Sequence, residues 1–462
     1  MSAFTSLPLS APLLRALDVL GFATMTPVQE HALPALLTGR DLIGQARTGS
    51  GKTVAFGLAL LSRVDVKIAR VQALVLCPTR ELADQVSEEL RRLARFIPNL
   101  KVVTLCGGVP VRTQTSSLER APHVVVGTPG RILDHLRRQT LELQGLRVVV
   151  LDEADRMLDM GFADAIAELS AQLPRDRQTL LFSATFPDEI RRMSRAFQRA
   201  PVEITVDTAP APVAIRQVFF EVEAAHKQRA LEALLHQHAP ETALVFCHTR
   251  NDVREVTAGL LAQGFSTLAL HGELEQRERD EVLIRFANKS CAVLVATDVA
   301  ARGLDVKGLA AVISYELPID PDVHTHRVGR TGRAGERGLA LGLCAPKERS
   351  RAAAIEARLG TPLTWGRVQL DAALKAPAPA SMVTLEVAGG KADKLRAGDL
   401  LGALTGEVGL AGDAVGKIDI LRQRSFVAVR RADAARALAG LRAHKIKGRA
   451  FKVRPLEEGG AP

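Results

Sequence analysis

Short apolar runs alternate with amphipathic stretches through most of this chain, and this alternation constrains its fold more than any other feature. Five runs predict strands in the first part of the chain: Leu74–Cys77, Val102–Cys106, Val124–Gly127, Val148–Leu151 and Leu180–Phe182. Between them lie segments such as ELADQVSEELRRLARF, whose apolar residues recur every three or four positions, as in a helix. Near-continuous apolar strands separated by amphipathic helices indicate a parallel sheet that is covered on both faces.

The same style repeats after a short break at Asp207–Val213, in the runs LVFCH, STLALHG, AVLVATD, AAVISYE and LALGLC. A second break, LKAPAPAS at Leu374–Ser381, has the Pro and Ala content of a stiff linker. We therefore predict an α/β domain over residues 1–207, a second one over 213–365, a linker over 366–382 and a third domain over 383–457. Because ligands bind beyond the carboxyl ends of parallel strands, functional residues should follow the strands of the first two domains.

Composition narrows the possible function classes. The 462 residues carry a net charge of +10, which favours a polyanionic partner. No apolar stretch approaches the roughly 20 residues that span a bilayer, and the N-terminus does not resemble a signal peptide. The five cysteines are far apart in sequence, which is typical of buried thiols in a reducing compartment. We expect a cytoplasmic protein without membrane contact.

A glycine-containing loop follows the short apolar run at Leu42–Ile43. The string ARTGSGKT, Ala46 to Thr53, precedes a helical pattern, which is the order of a phosphate-binding loop. In such a loop Lys52 reaches the β- and γ-phosphates and Thr53 holds Mg²⁺. Ala46 stands where the usual pattern has its first glycine. The alternative is a glycine-rich turn before a helix.

Three acids within four residues follow another predicted strand, in VVVLDEAD. Asp152 can complete a Mg²⁺ shell, and Glu153 can orient and deprotonate an attacking water. Acids are also favoured at helix N-termini, but that preference explains one acid and not three. Together with Lys52 and Thr53, these acids predict hydrolysis of a nucleoside triphosphate.

The string Asp152–Asp155 reads DEAD, and the chain resembles the DEAD-box RNA helicases. Further strings of that family occur in the same order: GFATMTPVQ, PTRELA, TPGR, SAT, VFCHT, QRER, TDVAARGLD and HRVGRTGR. The resemblance implies two tandem RecA-like domains and an RNA-stimulated ATPase that locally unwinds short RNA duplexes. It implies that Gln29 reads adenine while Phe22 stacks on the ring, since an amide can donate and accept a hydrogen bond at once.

The resemblance also assigns roles to individual residues. It implies ATP binding by Phe22, Gln29, Ala46, Thr48, Gly49, Ser50, Gly51, Lys52, Thr53, Gly303 and Asp305, with Mg²⁺ on Thr53 and Asp152. It implies catalysis by Lys52, Asp152, Glu153, Arg330 and Arg333, and coupling of the ATP and RNA sites by Ser183, Thr185 and His326. Asp305 has a helix-capping role as its alternative, and His326 a structural one. Because the arginine fingers and the phosphate loop fall in different domains, hydrolysis should require domain closure.

RNA contacts are implied for residues that suit phosphate and ribose rather than base edges. In the first two domains these are Thr79, Arg80, Gly108, Thr128, Gly130, Arg131, Thr249, Gln276, Arg279, Thr297 and Arg302. Recognition by them should therefore be independent of base sequence.

The third predicted domain has the order strand, helix, strand, strand, helix, strand, which is that of an RNA-recognition motif. Residues 382–462 contain 15 Lys or Arg and nine Asp or Glu. Only Phe426 is aromatic where stacking residues are expected, so Lys445, Lys447 and Arg449 are the better RNA candidates. The strings KLRAGDLLGALT and HKIKGRAFKVRP resemble the tail of DbpA-type members of the family. That implies a hairpin of large-subunit ribosomal RNA and pre-ribosomal particles as partners, a role in ribosome assembly, and a monomer.

Two other functions stay open at this point. One is an RNA-binding assembly factor that uses ATP only to clamp, and the other is a DNA-translocating helicase. Intact Lys52, Glu153, Arg330 and Arg333 argue against the first, and the adenine-reading Gln29 argues against the second.

Overall fold

The computed structural model describes residues 2–46, 49–186, 188–206, 215–301, 309–332, 338–370 and 376–456. Among the predicted site residues, Thr48, Arg302, Gly303, Asp305 and Arg333 lie outside this part of the chain. The described residues form two compact units, the first ending at residue 206 and the second beginning at residue 215.

The described residues of the first unit build one sheet of seven parallel strands. These are β1 (Leu42–Gln45), β2 (Ala73–Leu76), β3 (Val102–Leu105), β4 (Val124–Gly127), β5 (Val148–Leu151), β6 (Gln178–Ser183) and β7 (Val202–Thr205). Its helices are α1 (Ala11–Val19), α2 (Pro27–Leu37), α3 (Lys52–Arg63), α4 (Arg80–Leu93), α5 (Val111–Leu118), α6 (Pro129–Arg137), α7 (Ala154–Asp159), α8 (Ala163–Ala171) and α9 (Asp188–Phe197). The strand order is β3-β4-β2-β5-β6-β1-β7.

Both faces of this sheet are buried, as the apolar runs predict. Val75 and Val150 belong to a core that includes residues of α2, α3 and α4. Their neighbours Leu74 and Val149 belong to a second core, which includes residues of α6, α7 and α8. Alternate residues of each strand therefore support opposite layers of helices.

Strand β6 begins two residues before the predicted Leu180, at the buried polar residues Gln178 and Thr179. The Gln178 amide donates to the carbonyls of Leu36 and Arg40, at 2.9 and 2.8 Å. These hydrogen bonds offset the free-energy cost of burying the polar Gln178 side chain. A search for apolar periodicity does not detect a strand that begins with buried polar residues.

The second unit contains another parallel sheet, of seven strands in the part of the chain that is described. They are β8 (Arg216–Glu221), β9 (Ala243–Cys247), β10 (Thr267–Leu270), β11 (Val293–Thr297), β12 (Ala311–Ser314), β13 (Leu339–Cys344) and β14 (Trp365–Gly366), in the order β10-β11-β9-β12-β13-β8-β14. The helices are α10 (Lys227–His238), α11 (Arg250–Ala262), α12 (Gln276–Ala287), α13 (Asp298–Ala301), α14 (Pro321–Val328) and α15 (Arg349–Leu359). Val368 and Leu370, in the segment predicted as a linker, pack against the core of this sheet.

The same unit ends in a small α+β domain. Its strands are β15 (Met382–Val387), β16 (Val415–Ile420), β17 (Ser425–Arg430) and β18 (Val453–Pro455), and its helices are α16 (Ala397–Gly402) and α17 (Ala434–Ala443). The sheet is antiparallel with the order β16-β17-β15-β18. A π-helical turn at Ala403–Glu407 continues the first helix. The predicted fold class, two parallel-sheet domains followed by an α+β domain, is confirmed.

Single 3₁₀ turns lie at Phe4–Ser6, Ala224–His226, Pro346–Glu348, Lys391–Asp393, Gly412–Ala414 and Arg431–Asp433. In the described ranges, none of the helices has the length and apolar character needed to cross a membrane. All five cysteines are free and buried.

Candidate functional site

Three predicted nucleotide motifs follow three neighbouring strands of the first sheet. The phosphate loop follows β1, the acids follow β5, and the SAT string begins at the last residue of β6. Because these strands stand side by side in the order β5-β6-β1, the motifs meet at one carboxyl edge. The loop and the SAT string are joined directly, since the Ala46 amide donates to the Ser183 carbonyl at 3.0 Å.

Gln29 contacts the phosphate loop itself. Its amide Nε2 donates to the Gly51 carbonyl at 3.1 Å, and Thr26 Oγ1 donates to the Ser50 carbonyl at 2.8 Å. A Cβ on Gly51 would lie 2.5 Å from Gln29 Nε2, and Gly51 has a φ of +92°. Only glycine satisfies both the backbone conformation and this close approach.

The adenine-reading role of Gln29 is compatible with these contacts. Its Oε1 accepts from the Thr26 amide at 2.8 Å, which together with the Thr26 side chain forms a capping box at the start of α2. A carboxamide has two donor hydrogens and two acceptor lone pairs. With one of each used by Gly51 and Thr26, one donor and one acceptor remain for a base edge. Phe22 is half-buried and packs against the core that includes residues of α2, α3 and α4.

A buried charge pair lies at the start of α3. Lys52 Nζ is 3.9 Å from Asp152 Oδ1, and both side chains are at most 6% exposed. Burial raises the pKa of Asp152 to about 6, although the neighbouring Lys52 ammonium acts in the opposite direction. Within the described residues, Asp152 Oδ1 and Ser50 Oγ are buried and have no hydrogen-bond partner. Buried polar atoms of this kind need a partner, and a phosphate-bound cation would be one for the Asp152 oxygen. Thr53, the other predicted metal ligand, is half-buried in the first turn of α3.

Glu153 is held in an unusual backbone conformation. Its φ of 54° and ψ of 53° are left-handed, which is uncommon for a residue with a side chain and is found at functional sites. Arg156 Nη1 donates to Glu153 Oε2 at 2.7 Å, and both side chains are buried. Arg156 was missed in the sequence, where only its i+3 spacing on α7 could have indicated it.

Asp155 joins the acids to the SAT string, and sequence analysis assigned it no role. Its Oδ2 accepts from the amides of Ala184 and Thr185 and from Thr185 Oγ1, at 3.0 to 3.1 Å. Ser183 Oγ donates to the Thr185 carbonyl at 2.7 Å. The predicted coupling residues Ser183 and Thr185 therefore form one hydrogen-bonded group with the fourth residue of the acidic string.

The predicted RNA residues of the first unit lie at the other end of the same edge. Thr79 and Arg80 follow β2, Thr128 to Arg131 follow β4, and Gly108 follows β3. Thr79 caps α4 by accepting from the Leu82 amide at 3.2 Å. A Cβ on Gly130 would meet no described atom within 4 Å, so the backbone there is open to a ligand.

Arg131 makes internal contacts. Its guanidinium donates to the Val109 carbonyl at 2.7 Å and to Gln114 Oε1 at 2.8 Å. Buried Gln114 also donates to the Cys106 carbonyl at 2.8 Å. Arg131 thus positions the loop that contains Gly108, a contact the sequence did not indicate.

In the second unit, the predicted RNA residues follow β9, β10 and β11, which again stand together at one end of the sheet. Thr249 caps α11 and donates to Asp252 Oδ2 at 2.5 Å. Gln276 begins α12 and donates to Asp280 at 2.7 Å, and Arg279 donates to the Ala300 carbonyl at 2.7 Å. Buried Thr297 ends β11.

The helix before the arginine-rich loop is anchored by Arg327. Its guanidinium makes two 2.7 Å hydrogen bonds to Asp298 and a third, also 2.7 Å, to the Glu316 carbonyl. Arg327 therefore fixes α14, which carries the half-buried His326, and Arg330 is buried just beyond the helix end.

The three basic candidates of the C-terminal domain lie on an exposed turn between α17 and β18. Lys445, Lys447 and Arg449 are all exposed. Lys447 Nζ donates to the Lys394 carbonyl at 3.1 Å, which ties the turn to the loop that precedes α16.

The chain is similar to known proteins over nearly its whole length. Residues 26–193 match the family described as DEAD/DEAH box helicase, residues 226–335 the helicase conserved C-terminal domain, and residues 384–455 the DbpA RNA binding domain. The chain is 52% identical to the ATP-dependent RNA helicase DbpA of Escherichia coli, over 99% of this chain and 100% of that protein. It is 44% identical to the DEAD-box ATP-dependent RNA helicase CshA of Bacillus cereus, over 77% of this chain and 68% of that protein.

A solved structure of similar fold is that of Saccharomyces cerevisiae Dbp5 bound to RNA and ADP BeF3. It has a TM-score of 0.72 and 32% identity, and the match covers 80% of this chain and 96% of that one.

Proposed function

Since this chain belongs to the DEAD-box ATP-dependent RNA helicases, we propose that it couples ATP hydrolysis to local unwinding of a duplex next to a hairpin of large-subunit ribosomal RNA. The proposal that the RNA is ribosomal is supported by the match of residues 384–455 to the DbpA RNA binding domain. The exposed basic turn at Lys445, Lys447 and Arg449 lies in the same domain.

We assign nucleotide selection to the group around α2. Gln29 would use its remaining donor and acceptor for adenine. Its hydrogen bond to the Gly51 carbonyl would fix the position of the base relative to the phosphate loop. Phe22 would cover one face of the ring. Lys52, at the start of α3, would neutralise charge on the β- and γ-phosphates.

We assign the metal and the attacking water to the two acids after β5. Asp152 Oδ1, which is buried without a hydrogen-bond partner among the described residues, and the Thr53 hydroxyl fit Mg²⁺, which when bound neutralises phosphate charge. Glu153 would orient and deprotonate the water. Its pairing with Arg156 holds the carboxylate in place before substrate arrives. The hydrogen bonds that Asp155 accepts from the Ala184 and Thr185 amides would transmit a movement of the acids to the SAT string.

The arginine fingers and the sequence-independent RNA contacts stay predictions at this stage, as do the proposed domain limits. Arg330 and Arg333 are proposed to stabilise the transition state. A chain ending near Asp207 should then hydrolyse almost no ATP, and robust turnover by that fragment would contradict the assignment. The proposed setting is the cytoplasm, where a monomer would act on pre-ribosomal particles.

The basic turn gives the sharpest test of the ribosomal proposal. Replacement of Lys445, Lys447 and Arg449 by Ala should flatten the salt dependence of hairpin binding by roughly two to three units of logarithmic slope, if all three contact phosphate. It should also reduce the preference for the ribosomal hairpin over an unrelated RNA, measured as the RNA concentration for half-maximal ATPase stimulation.

A matched control removes three exposed positive charges from the first unit, at Arg91, Arg92 and Arg95. This variant should keep the preference for the ribosomal hairpin. If the full-length protein itself shows no preference between the two RNAs, the ribosomal proposal is wrong and only the general helicase function remains.

A further inference from the structure

A cavity of about 380 Å³ lies at the edge of the first sheet where its strands begin. It is formed by the end of α8, the segment that leads into β6 and the residues around the end of α9. Thr179, the second residue of β6, lines this cavity, whereas Ser183, the first residue of the SAT string, ends the same strand. Four strand residues span about 13 Å, so the cavity is separate from the nucleotide motifs.

The cavity carries an excess of positive charge. Three arginines and one aspartate line it, namely Arg175, Arg177, Arg199 and Asp41. Both carboxylate oxygens of Asp41 already accept from backbone amides, those of Thr179 and Arg199, each at 2.7 Å. Among the residues that the structure describes, no carboxylate forms an ion pair with any of the three arginines. The cavity therefore has guanidinium groups that are not neutralised by the chain around them.

Two buried polar atoms at this cavity need a partner. Thr179 Oγ1 and Arg177 Nε are both buried, and no atom of the described chain forms a hydrogen bond with either. Thr179 is 1% exposed, and the Arg177 guanidinium donates from Nη1 to the Pro174 carbonyl at 2.6 Å. A buried donor without an acceptor costs free energy, and the cost is larger when the group is charged. An anion in the cavity would supply the acceptors.

The electrostatics of Arg177 also favour an anion. Burial lowers the pKa of Arg177, and the nearby Arg199 guanidinium acts in the same direction, whereas Asp41 opposes the shift. The two guanidinium groups therefore repel each other, and a negative charge between them would remove this repulsion. The apolar side chains of Leu173 and Phe197 line the same cavity. They exclude water, which strengthens charge interactions inside.

Hydrogen bonds of other groups position the cavity walls. Gln198 Nε2 donates to the carbonyls of Leu42 and Thr179, both at 2.9 Å, and Ser194 Oγ donates to Gln198 Oε1 at 2.8 Å. The end of α9 is thereby joined to the beginnings of β1 and β6. Because these walls are already in place, binding would lose little conformational entropy.

We propose that this cavity binds a small phosphate-bearing anion through Arg177, Arg199 and Thr179. A guanidinium can donate two parallel N–H bonds to one phosphate, and the Thr179 hydroxyl can donate a further one. A volume of about 380 Å³ is within the range of small-molecule sites and suits a diphosphate or a small phosphorylated metabolite. A phosphate within an RNA strand has a ribose on each side, which would keep it away from the buried Thr179. The site is independent of the RNA on which the protein acts.

Inorganic pyrophosphate is a suitable probe, because it carries two phosphate groups and no base. Since it also resembles the β- and γ-phosphates of ATP, its binding should be measured by calorimetry in full-length Lys52→Ala, where the phosphate loop lacks its lysine. We expect one remaining site per chain. At a pyrophosphate concentration of 100 Kd, hydrogen–deuterium exchange of the Thr179 and Arg199 amides should slow by about 100-fold, without a comparable change in β3 or β4.

Two variants of the cavity, made in the same Lys52→Ala protein, test the proposed contacts. Thr179→Val keeps the shape of the side chain and removes the hydroxyl, so the affinity for pyrophosphate should fall about tenfold. Because the lost hydroxyl has no partner in the described chain, the free energy of unfolding should not decrease. Arg177→Gln should weaken binding by at least tenfold. The matched control is Arg192→Gln, which removes an exposed charge of α9 outside the cavity and should leave the affinity unchanged.

Three results would overturn the proposal. One is the loss of all pyrophosphate binding in Lys52→Ala, which would place the anion in the phosphate loop alone. Another is the same affinity in Thr179→Val and Arg177→Gln as in their parent protein. The third is displacement of pyrophosphate by single-stranded or hairpin RNA, which would make an RNA phosphate the occupant. The exchange measurement needs no cavity variant, so absence of slowing at Thr179 and Arg199 refutes the site even if Arg177→Gln does not fold.

Discussion

Replacement of Asp155 by Asn should loosen the connection between the acidic string and the SAT string. One carboxylate oxygen of Asp155 accepts three hydrogen bonds, from the Ala184 and Thr185 amides and from Thr185 Oγ1, and the other accepts from the Arg156 amide at 3.0 Å. An Asn side chain has one acceptor oxygen and one donor group. In either orientation its NH₂ therefore faces a donor.

The expected magnitude follows from the number of bonds lost. A hydrogen bond to a charged group contributes about 1.5–3 kcal/mol, and an unsatisfied buried group costs about 1–3 kcal/mol. Since such bonds are not additive, we expect a net loss of about 3 kcal/mol, which corresponds to a roughly 100-fold increase in local opening.

Hydrogen–deuterium exchange measures this opening directly. Protection of the Ala184 and Thr185 amides should fall roughly 100-fold in Asp155→Asn, without a comparable change in β2 or β4. Asp164→Asn removes an exposed carboxylate from α8 and serves as the matched control. ATP hydrolysis should then be retained better than unwinding. Unchanged protection of both amides would refute the reasoning.

Three further outcomes are expected. If Gln29 reads adenine, the full-length protein should hydrolyse ATP and not GTP, and equal rates with both would contradict that role. Glu153→Gln should bind ATP and RNA while phosphate release collapses, because an amide cannot take a proton from water; near-normal release would remove Glu153 from the mechanism. Burial lowers the pKa of His324 to about 4, below its ordinary 6.5, so the unfolded chain binds the extra proton between these values. The free energy of unfolding of the second unit should therefore decrease by roughly 3 kcal/mol because of this group as the pH falls from about 6.5 to 4. His324→Gln should flatten that part of the stability profile. Identical acid profiles of the two proteins would show that His324 does not cause the decrease.

Local patterns in the sequence were sufficient to predict the elements and the phosphate loop. Apolar runs such as Val124–Gly127 and Val148–Leu151 coincide with strands, because burial on both faces of a parallel sheet requires uninterrupted apolar residues. The same patterns place Lys52 at the start of a helix and Asp152 directly after a strand, at the edge of the sheet where parallel-sheet proteins bind ligands. The order of strands and helices in the C-terminal domain was also predicted correctly. The pattern did not show that its first helix, α16, covers only six residues and continues as a π-helical turn.

Contacts between distant residues were beyond these patterns. Gln29 bonds the Gly51 carbonyl, and Asp155 bonds the Thr185 amide across 30 positions. Such pairs depend on which strands become neighbours in the sheet, and the periodicity of apolar residues does not specify the strand order. Arg327 lies in the same string as the predicted fingers Arg330 and Arg333, yet it is buried and paired with Asp298.

The amino-acid sequence by itself determined the parallel-sheet fold and the residues at the strand ends, because burial periodicity and motif spacing are local properties. Only the tertiary structure decided the order in which those strand ends lie along the edge of the sheet. Along the chain the RNA strings separate the phosphate loop from the acidic string, but the order β3-β4-β2-β5-β6-β1 gathers the RNA strings at one end of the first sheet and brings the nucleotide strings together beside them. The burial of Phe426 was likewise decided by tertiary structure, since the face of a strand that water reaches depends on what the rest of the chain packs against it.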